Sequence, residues 1–269
     1  MEAIFSYGFL QRALLAGVFV ALACALLGVF LILRRDAMIG HGLAHITFAG
    51  IALGLFLNII PLAMALAVAA VTALGIMKIK EKAGLYSDTA IAIFSSAGFA
   101  LGVLLVTLAH GFNVDLFSYL FGDILTIDQS EVYLSIGLAA VVVMIVILNY
   151  RQFMYMTFDR EAAKASGIKV NRLDVLLTVL TAVTIVLGMK VVGILLVSAL
   201  VVIPAAAGLQ LASNFKQAII LSSLTALVSV LTGLFLAFYL DFPASGAIVL
   251  LSFFFFGIFF LLKRGKKSI

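Results

Sequence analysis

Long apolar stretches alternate with short polar segments along the whole chain. Nine stretches have the length that a helix needs to cross a bilayer, which is about 20 residues. They lie at 12–33, 39–58, 61–77, 88–110, 131–150, 173–189, 191–212, 217–240 and 244–262. Only Gly188-Met189-Lys190 separates the sixth from the seventh. The pattern therefore predicts an all-α, polytopic integral membrane protein of about eight to nine transmembrane helices, formed as one domain over residues 1–269.

Basic residues are concentrated in the loops on one side of these predicted spans. Fifteen of the 17 Lys and Arg residues fall there, and only Arg12 and Lys190 do not. Cytoplasmic loops carry an excess of Lys and Arg, so this side is expected to be cytoplasmic, with the N-terminus outside and the C-terminus inside. The fifteen are Arg34, Arg35, Lys78, Lys80, Lys82, Arg151, Arg160, Lys164, Lys169, Arg172, Lys216, Lys263, Arg264, Lys266 and Lys267.

The composition excludes several other classes of protein. Hydrophobic residues make up 65% of the chain and charged residues 11%, against about 25% charged in soluble domains. The net charge of +5 comes from loop residues, so nucleic acid binding is not expected. The single cysteine, Cys24, lies inside a predicted span and can form no disulfide framework. No removable signal peptide and no ATP-binding P-loop (GxxxxGK[ST]) are found.

Two histidines lie near the start of the second predicted span. His41 and His45 are four residues apart, which places them on one face of a helix, about 6 Å apart along its axis. Ionisable residues in membrane spans are costly and mark functional sites by default. Two imidazoles on one face can bind a divalent metal, but they can equally form hydrogen bonds between helices. His41 lies five residues after Asp36, which predicts a position on the cytoplasmic side of the midplane.

The outer polar segment, 111–131, mixes aromatic and aliphatic residues with carboxylates. This mixture predicts an interfacial or re-entrant segment rather than a freely solvated loop. Its carboxylates can attract cations or meet an external partner, although a solvated rim is the simpler interpretation. They are Asp115, Asp123, Asp128 and Glu131. His110, beside this segment, is interpreted as interfacial rather than as a metal ligand.

The inner polar segment, 151–172, contains the features of a short helix. Asp159 is a suitable N-cap, Glu161 to Lys164 favours helix, and Gly167 is a typical helix stop. The segment is either a plain connector or a docking helix for a cytoplasmic partner.

Two pairs of glycines, Gly50 with Gly54 and Gly98 with Gly102, are spaced four apart within the second and fourth spans. Such spacing leaves a notch that allows another helix to approach closely. Helix packing inside one subunit is favoured over a dimer contact.

Five blocks of sequence carry a family resemblance: LRRDAMIGHGLAHITFAGIALG, SDTAIAIFSSAGFALGVLL, DLFSYLFGDIL, FDREAAKASGI and VGILLVSALVVIPAAAG. In this order they resemble the membrane permeases of bacterial and archaeal zinc/manganese ATP-binding-cassette importers. The resemblance implies a homodimeric permease in the prokaryotic plasma (inner) membrane, surrounded by lipid. It also implies separate cytoplasmic ATP-binding subunits and an extracytoplasmic metal-binding protein as partners.

The resemblance also implies roles for individual residues. In the family pattern the second span carries an aspartate and, four residues later, a histidine that line the metal path. His45 matches that histidine, whereas His41 stands at the position of the aspartate. FDREAAKASGI resembles the coupling helix that docks into the ATPase, which implies this role for Asp159, Glu161, Ala163 and Gly167.

Imidazole suits Zn²⁺ while carboxylate suits Mn²⁺, so the expected cargo is Zn²⁺, with Mn²⁺ or Fe²⁺ as the alternative. Two protomers would supply four nitrogens, the number in a tetrahedral zinc site. No permanently bound cofactor is expected, and the chain is interpreted as a transport subunit rather than an enzyme.

Two other classes of membrane protein also place histidines or other ionisable residues within their spans. An intramembrane metalloprotease needs the glutamate of HExxH, but Gly42, Leu43 and Ala44 separate the two histidines. A gradient-driven secondary metal transporter is disfavoured by the scarcity of mid-span carboxylates for proton coupling and by the coupling-type loop. An adjoining ATPase gene would discriminate between the importer and the secondary transporter.

Overall fold

The computed structural model describes residues 7–82, 87–109, 114–123 and 127–266, which form twelve helices and no strand. The helices are α1 (Gly8–Leu33), α2 (Met38–Phe56), α3 (Pro61–Lys82), α4 (Ser87–Leu108), α5 (Val114–Phe121), α6 (Gln129–Leu148), α7 (Tyr150–Phe158), α8 (Arg160–Ala165), α9 (Val170–Val192), α10 (Ile194–Leu211), α11 (Phe215–Leu240) and α12 (Ala244–Lys266). The expected all-α class is confirmed for this part of the chain.

Eight helices of the described residues are long and apolar enough to cross a membrane, namely α1, α2, α3, α4, α6, α9, α11 and α12. The remaining predicted span, 191–212, corresponds to α10, whose apolar stretch Leu196–Leu211 is shorter. The expectation of eight to nine spans is therefore confirmed. The predicted boundary at 188–190 is wrong, because α9 stays helical to Val192 and the chain breaks at Gly193.

The backbone at this break requires a glycine, Gly193, for two reasons. Its φ of +84° lies in a region that residues with a side chain rarely adopt. A Cβ at this position would also lie 2.5 Å from the Leu120 carbonyl oxygen and 2.5 Å from the Phe121 carbonyl carbon. The end of α5 thus packs directly on the backbone that joins α9 to α10.

The short α10 connects the level of α5 with one end of the bundle. It begins beside α5, and its last turn lies beside the end of α12, where Lys263 Nζ donates to Gln210 Oε1 at 3.2 Å. We call this end, with Arg34, Arg160, Lys216 and Lys263, the basic end.

Two large hydrophobic clusters form most of the interior, and a small third one comprises Val29, Ala205 and Ala218. The first surrounds α1 and includes residues of α6, α9, α10 and α11, and the second surrounds α2 and includes residues of α3, α4, α9 and α10. α9 divides between them, with Leu177 and Leu180 in the first and Ile185 and Val186 in the second. We call the helices packed around α1 the α1 unit and those packed around α2 the α2 unit. α9 and α10 contribute to both clusters and therefore join the two units.

The glycine pairs lie where helices touch within the chain. A Cβ on Gly50 would lie 2.6 Å from Ala65 Cα of α3, and a Cβ on Gly102 would lie 2.5 Å from the Phe48 ring of α2. The prediction that these glycines serve packing inside one subunit is confirmed. The outer faces of α4, α6 and α12 instead expose large apolar side chains, as helices in lipid do.

Cysteines introduced at Asp123 and Lys267 are expected to react with a membrane-impermeant thiol reagent from opposite sides, because the Lys and Arg distribution is fifteen to two. Labelling of intact and permeabilised cells measures this. The unmodified chain is the control, because its one cysteine, Cys24, is fully buried. Labelling of both positions from the same side would contradict the predicted topology.

Candidate metal-transit site

His41 and His45 lie on one face of α2, as the spacing predicts. Their Nε2 atoms are 3.1 Å apart, and the ring planes are nearly perpendicular at 80°. Two ligands of a tetrahedral zinc ion, each at about 2.0 Å from the metal, lie about 3.3 Å from each other. The pair therefore has a separation that suits two ligands of one ion. It also allows one imidazole to donate a hydrogen bond to the other.

The histidine pair borders a cavity of about 20 Å³, and about 10–15 Å³ already accommodates one water molecule. The Phe99 ring of α4 lies edge-on to the His45 ring, with 5.1 Å between centroids. Apart from the histidines, the lining side chains are all apolar. They are Ala44, Phe48, Phe99, Leu120 and Ile194, contributed by α2, α4, α5 and α10.

The packing of α2 on α3 gives the level of the site. The two helices are antiparallel, with Gly50 opposite Ala65 and Gly54 opposite Pro61. The same register places His45 level with Ala70, near the middle of the span Pro61–Ile79. His41 lies one turn nearer the basic end. The sequence predicts that the site is displaced from the midplane toward the cytoplasmic side. In the structure this displacement is only about one helical turn, or roughly 5 Å.

The site is open and incomplete in a single chain. His41 is exposed on the surface, whereas His45 is partly buried. Among the described residues, no group of three or more His, Cys, Asp or Glu side chains is placed to hold a metal. These residues supply two nitrogens, whereas structural zinc sites use four ligands. Further ligands have to come from another chain, from water or from residues outside the described ranges.

The predicted coupling helix forms α8. The Asp159 side chain accepts a hydrogen bond from the Ala162 N–H at 2.9 Å, which is the predicted N-cap. Gly167 follows the helix with a φ of +82°, and its N–H donates to the Lys164 carbonyl at 2.9 Å. Both predicted helix signals are confirmed.

The side chains of α8 divide between an inner and an outer face. Ala163 is fully buried in the cluster around α1, so it contacts the chain's own core rather than the surface offered to a partner. Glu161 and Lys164 are exposed and form an ion pair at 3.1 Å. Asp159 is exposed as well. The exposed face of α8 is therefore polar, and the buried Ala163 packs the helix against the rest of the chain.

A cluster of buried charges at the basic end was missed by the sequence analysis. The side chain of Asp174 is 1% exposed, accepts a hydrogen bond from Arg34 and lies 2.6 Å from Arg160 Nη2. Arg34 is also 3.5 Å from Asp36. A single carboxylate near the start of an apolar helix looks like a charge at the membrane edge. Its partner Arg34 is 140 residues away, so no local signal reveals the pair.

The outer segment 111–131 enters the bundle through α5, which contacts α9 and α10. This supports the re-entrant interpretation. Two of its carboxylates lie at the start of α6, where the Asp128 N–H donates to Glu131 at 3.2 Å, so part of their role is helix capping. His110 lies outside the described residues, and its interpretation stays a prediction.

Comparison with known proteins agrees with this architecture. The manganese transport system membrane protein MntC of Halalkalibacterium halodurans is 31% identical over 266 residues, covering 98% of this chain and 91% of that protein. The high-affinity zinc uptake system membrane protein ZnuB of Haemophilus influenzae is 32% identical over 255 residues, covering 94% and 97%.

A solved structure, PsaBC from Streptococcus pneumoniae in complex with Fab, superimposes with a TM-score of 0.86 at 32% identity, covering 96% of this chain and 93% of that one. A family model described as the ABC 3 transport family matches residues 6–263. This match spans nearly the whole chain, and the helical fold agrees with it. The chain therefore belongs to the ABC 3 transport family of multi-pass membrane permeases.

Proposed function

We propose that this chain is the permease subunit of an ATP-binding-cassette importer that carries Zn²⁺ into the cell, and that His41 and His45 hold the ion in transit. Membership of the ABC 3 transport family supports the role of permease. The observation that carries the assignment of the site is the 3.1 Å separation of the two Nε2 atoms beside an otherwise apolar cavity. Ionisable side chains in such surroundings are energetically costly, so their presence indicates a functional site.

The choice of Zn²⁺ rests on ligand chemistry, because relatives are named for manganese as well as for zinc. Both nitrogens of the pair are imidazole nitrogens, which suit zinc, and the carboxylate expected at position 41 from the family resemblance is replaced by His41. Mn²⁺ and Fe²⁺ remain the alternative cargoes of the same site.

A two-fold homodimer would complete the ligand set. Because His41 is exposed on the single chain, a second α2 brought against this face would raise the number of imidazole nitrogens from two to four. Four ideal ligands would trap the ion. A transport site also has to release its cargo, so we expect the dimer site to be deformable rather than closed.

The distribution of charge supports an orientation of the chain in the membrane. We assign the basic end to the cytoplasmic side of the plasma membrane, with the N-terminus outside and the C-terminus inside. ATP-binding subunits would then meet the outer face of α8 at Asp159 and Glu161. An extracytoplasmic metal-binding protein would deliver the ion at the opposite end.

A gradient-driven secondary transporter fits less well. Such transporters use buried carboxylates that take up and release protons. Of the described residues, the buried carboxylates are Asp36 and Asp174, and both are near Arg34 in the charged cluster at the basic end. Neither of these two carboxylates lies at mid-span, where a site for proton coupling is expected.

His45→Ala is expected to reduce ATP-driven zinc uptake to the background of empty vesicles. It removes one nitrogen per protomer, which is half of the ligands in a two-fold site. Uptake of radioactive zinc by vesicles containing the assembled transporter measures the effect. His110→Ala is the matched control, because it alters the remaining histidine of the chain's three. A His41→Ala, His45→Ala double variant that assembles and still carries zinc at the original rate would contradict the proposed site.

His41→Asp is expected to raise manganese uptake relative to zinc uptake. The carboxylate keeps a ligand at this position but offers the oxygen that the harder ion prefers. Competition between the two metals in the same vesicles gives the ratio directly. His41→Asn is the control, because it has a similar size without the charge. An unchanged ratio would show that position 41 does not set the preference.

Gly167→Pro is expected to impair coupling between ATP hydrolysis and uptake. Proline fixes φ near −65° and lacks the N–H that donates to Lys164, so the end of α8 loses its cap at a cost of about 1–3 kcal/mol. Gly167→Asn is the matched control, because asparagine tolerates positive φ. The ratio of zinc carried to ATP hydrolysed is the measurement. Equal ratios for both variants would identify the segment as a plain connector.

A further inference from the structure

We propose that the carboxylate of Asp174 links the ATPase-facing helix α8 to the turn that leads into the histidine-bearing helix α2. Asp174 is then a positioning residue, which acts on the metal site through other residues. The inference rests on the proposed function, because it concerns how ATP-driven movement reaches the transit site.

Asp174 contacts two separate segments of the chain with its two oxygens. Arg34, at the end of α1, donates to Oδ1. Arg160, the first residue of α8, approaches Oδ2 to 2.6 Å as an ion pair, and this oxygen accepts no hydrogen bond. The carboxylate is 1% exposed, so solvent cannot replace either arginine while the bundle is intact. One buried group therefore holds α1, α8 and α9 together.

On the α1 side, the contact continues directly into α2. The Asp36 N–H donates to the Leu31 carbonyl at 2.9 Å, and Arg35 has a φ of +59°, which is unusual for a residue with a side chain. This tight turn is held from within by Arg34, which contacts both Asp36 and Asp174. α2 begins at Met38, so a shift of Arg34 displaces the first turn of the helix that carries His41.

On the α8 side, the contact is the one that can open. The Arg160 side chain is 39% exposed, against 8% for Arg34. If α8 moved outward and took Arg160 with it, the buried carboxylate of Asp174 would lose one of its two arginines, which is unfavourable. The ion pair therefore opposes a partial displacement of α8 and favours either the paired arrangement or a full separation.

The test variant is Arg160→Gln, which removes the more exposed cation and leaves Asp174 paired with Arg34. The assembled transporter in vesicles is assayed for ATP hydrolysis and zinc uptake in parallel. We expect zinc carried per ATP hydrolysed to fall by roughly five- to a hundredfold, the usual range for a coupling between distant sites. Arg160→Lys keeps the positive charge and should restore most of the ratio.

The matched control is Lys216→Gln, which removes an exposed cation at the basic end on another helix, α11, and should leave the ratio unchanged. Asp174→Asn leaves Arg34 partly uncompensated, so it is assayed, alone and together with Arg160→Gln, in transporter that is shown to assemble. If Arg160 acts through Asp174, adding Arg160→Gln to Asp174→Asn should lower the ratio no further.

A purely structural role predicts that hydrolysis and uptake fall together while their ratio stays constant, and that result would overturn the inference. An equal loss for Arg160→Gln and Lys216→Gln would also overturn it, because the effect would then follow from the loss of any positive charge at the basic end. Absence of ATP-driven zinc uptake by the unmodified transporter would contradict the proposed function itself. Normal uptake by the unmodified chain with a normal ratio for Arg160→Gln would contradict this inference alone.

Discussion

Direct contact between the backbone of α2 and its neighbours α3 and α4 fixes the position of the histidine pair. Gly50 and Gly54 admit α3, and Gly42 admits Ile91 of α4, whose side chain would lie 2.5 Å from a Cβ at that position. In lipid no hydrophobic drive holds helices together, so such close packing has to do so. Two faces of α2 are thereby occupied. The face that carries His41 and His45 is left for the cavity and the chain's surface.

The number of spans could be predicted from hydropathy, because each apolar stretch of the right length has to form a helix that satisfies its own backbone in lipid. The break between α9 and α10 could not be placed in the same way. It lies at Gly193 because the end of α5 packs there, and that contact joins segments that are about 70 residues apart in sequence. Gly188, Lys190 and Gly193 all lie near the break, and hydropathy alone does not indicate which of them ends α9.

In the candidate site, too, features within one helix could be predicted from the sequence, whereas contacts between distant segments could not. The spacing of His41 and His45 is a property of one helix, so their shared face could be predicted from the sequence alone. The partners of Asp174 lie on other segments, and only the folded chain brings them together. Ala163 illustrates a further limit: a small residue on a short amphipathic helix fits either an internal or an external contact, and the structure shows the internal one.

The division of α9 between the two hydrophobic clusters suits a chain that has to hold an ion and then release it. Leu177 and Leu180, on one face of α9, pack with the α1 unit, and Ile185 and Val186, on the opposite face, pack with the α2 unit. A shift of α9 against one unit would therefore change its contacts with the other. Packed interiors resist continuous deformation, so a helix that belongs to both clusters couples the position of one unit to that of the other. Rigidity around the histidines and mobility between the two units are thus compatible within one bundle.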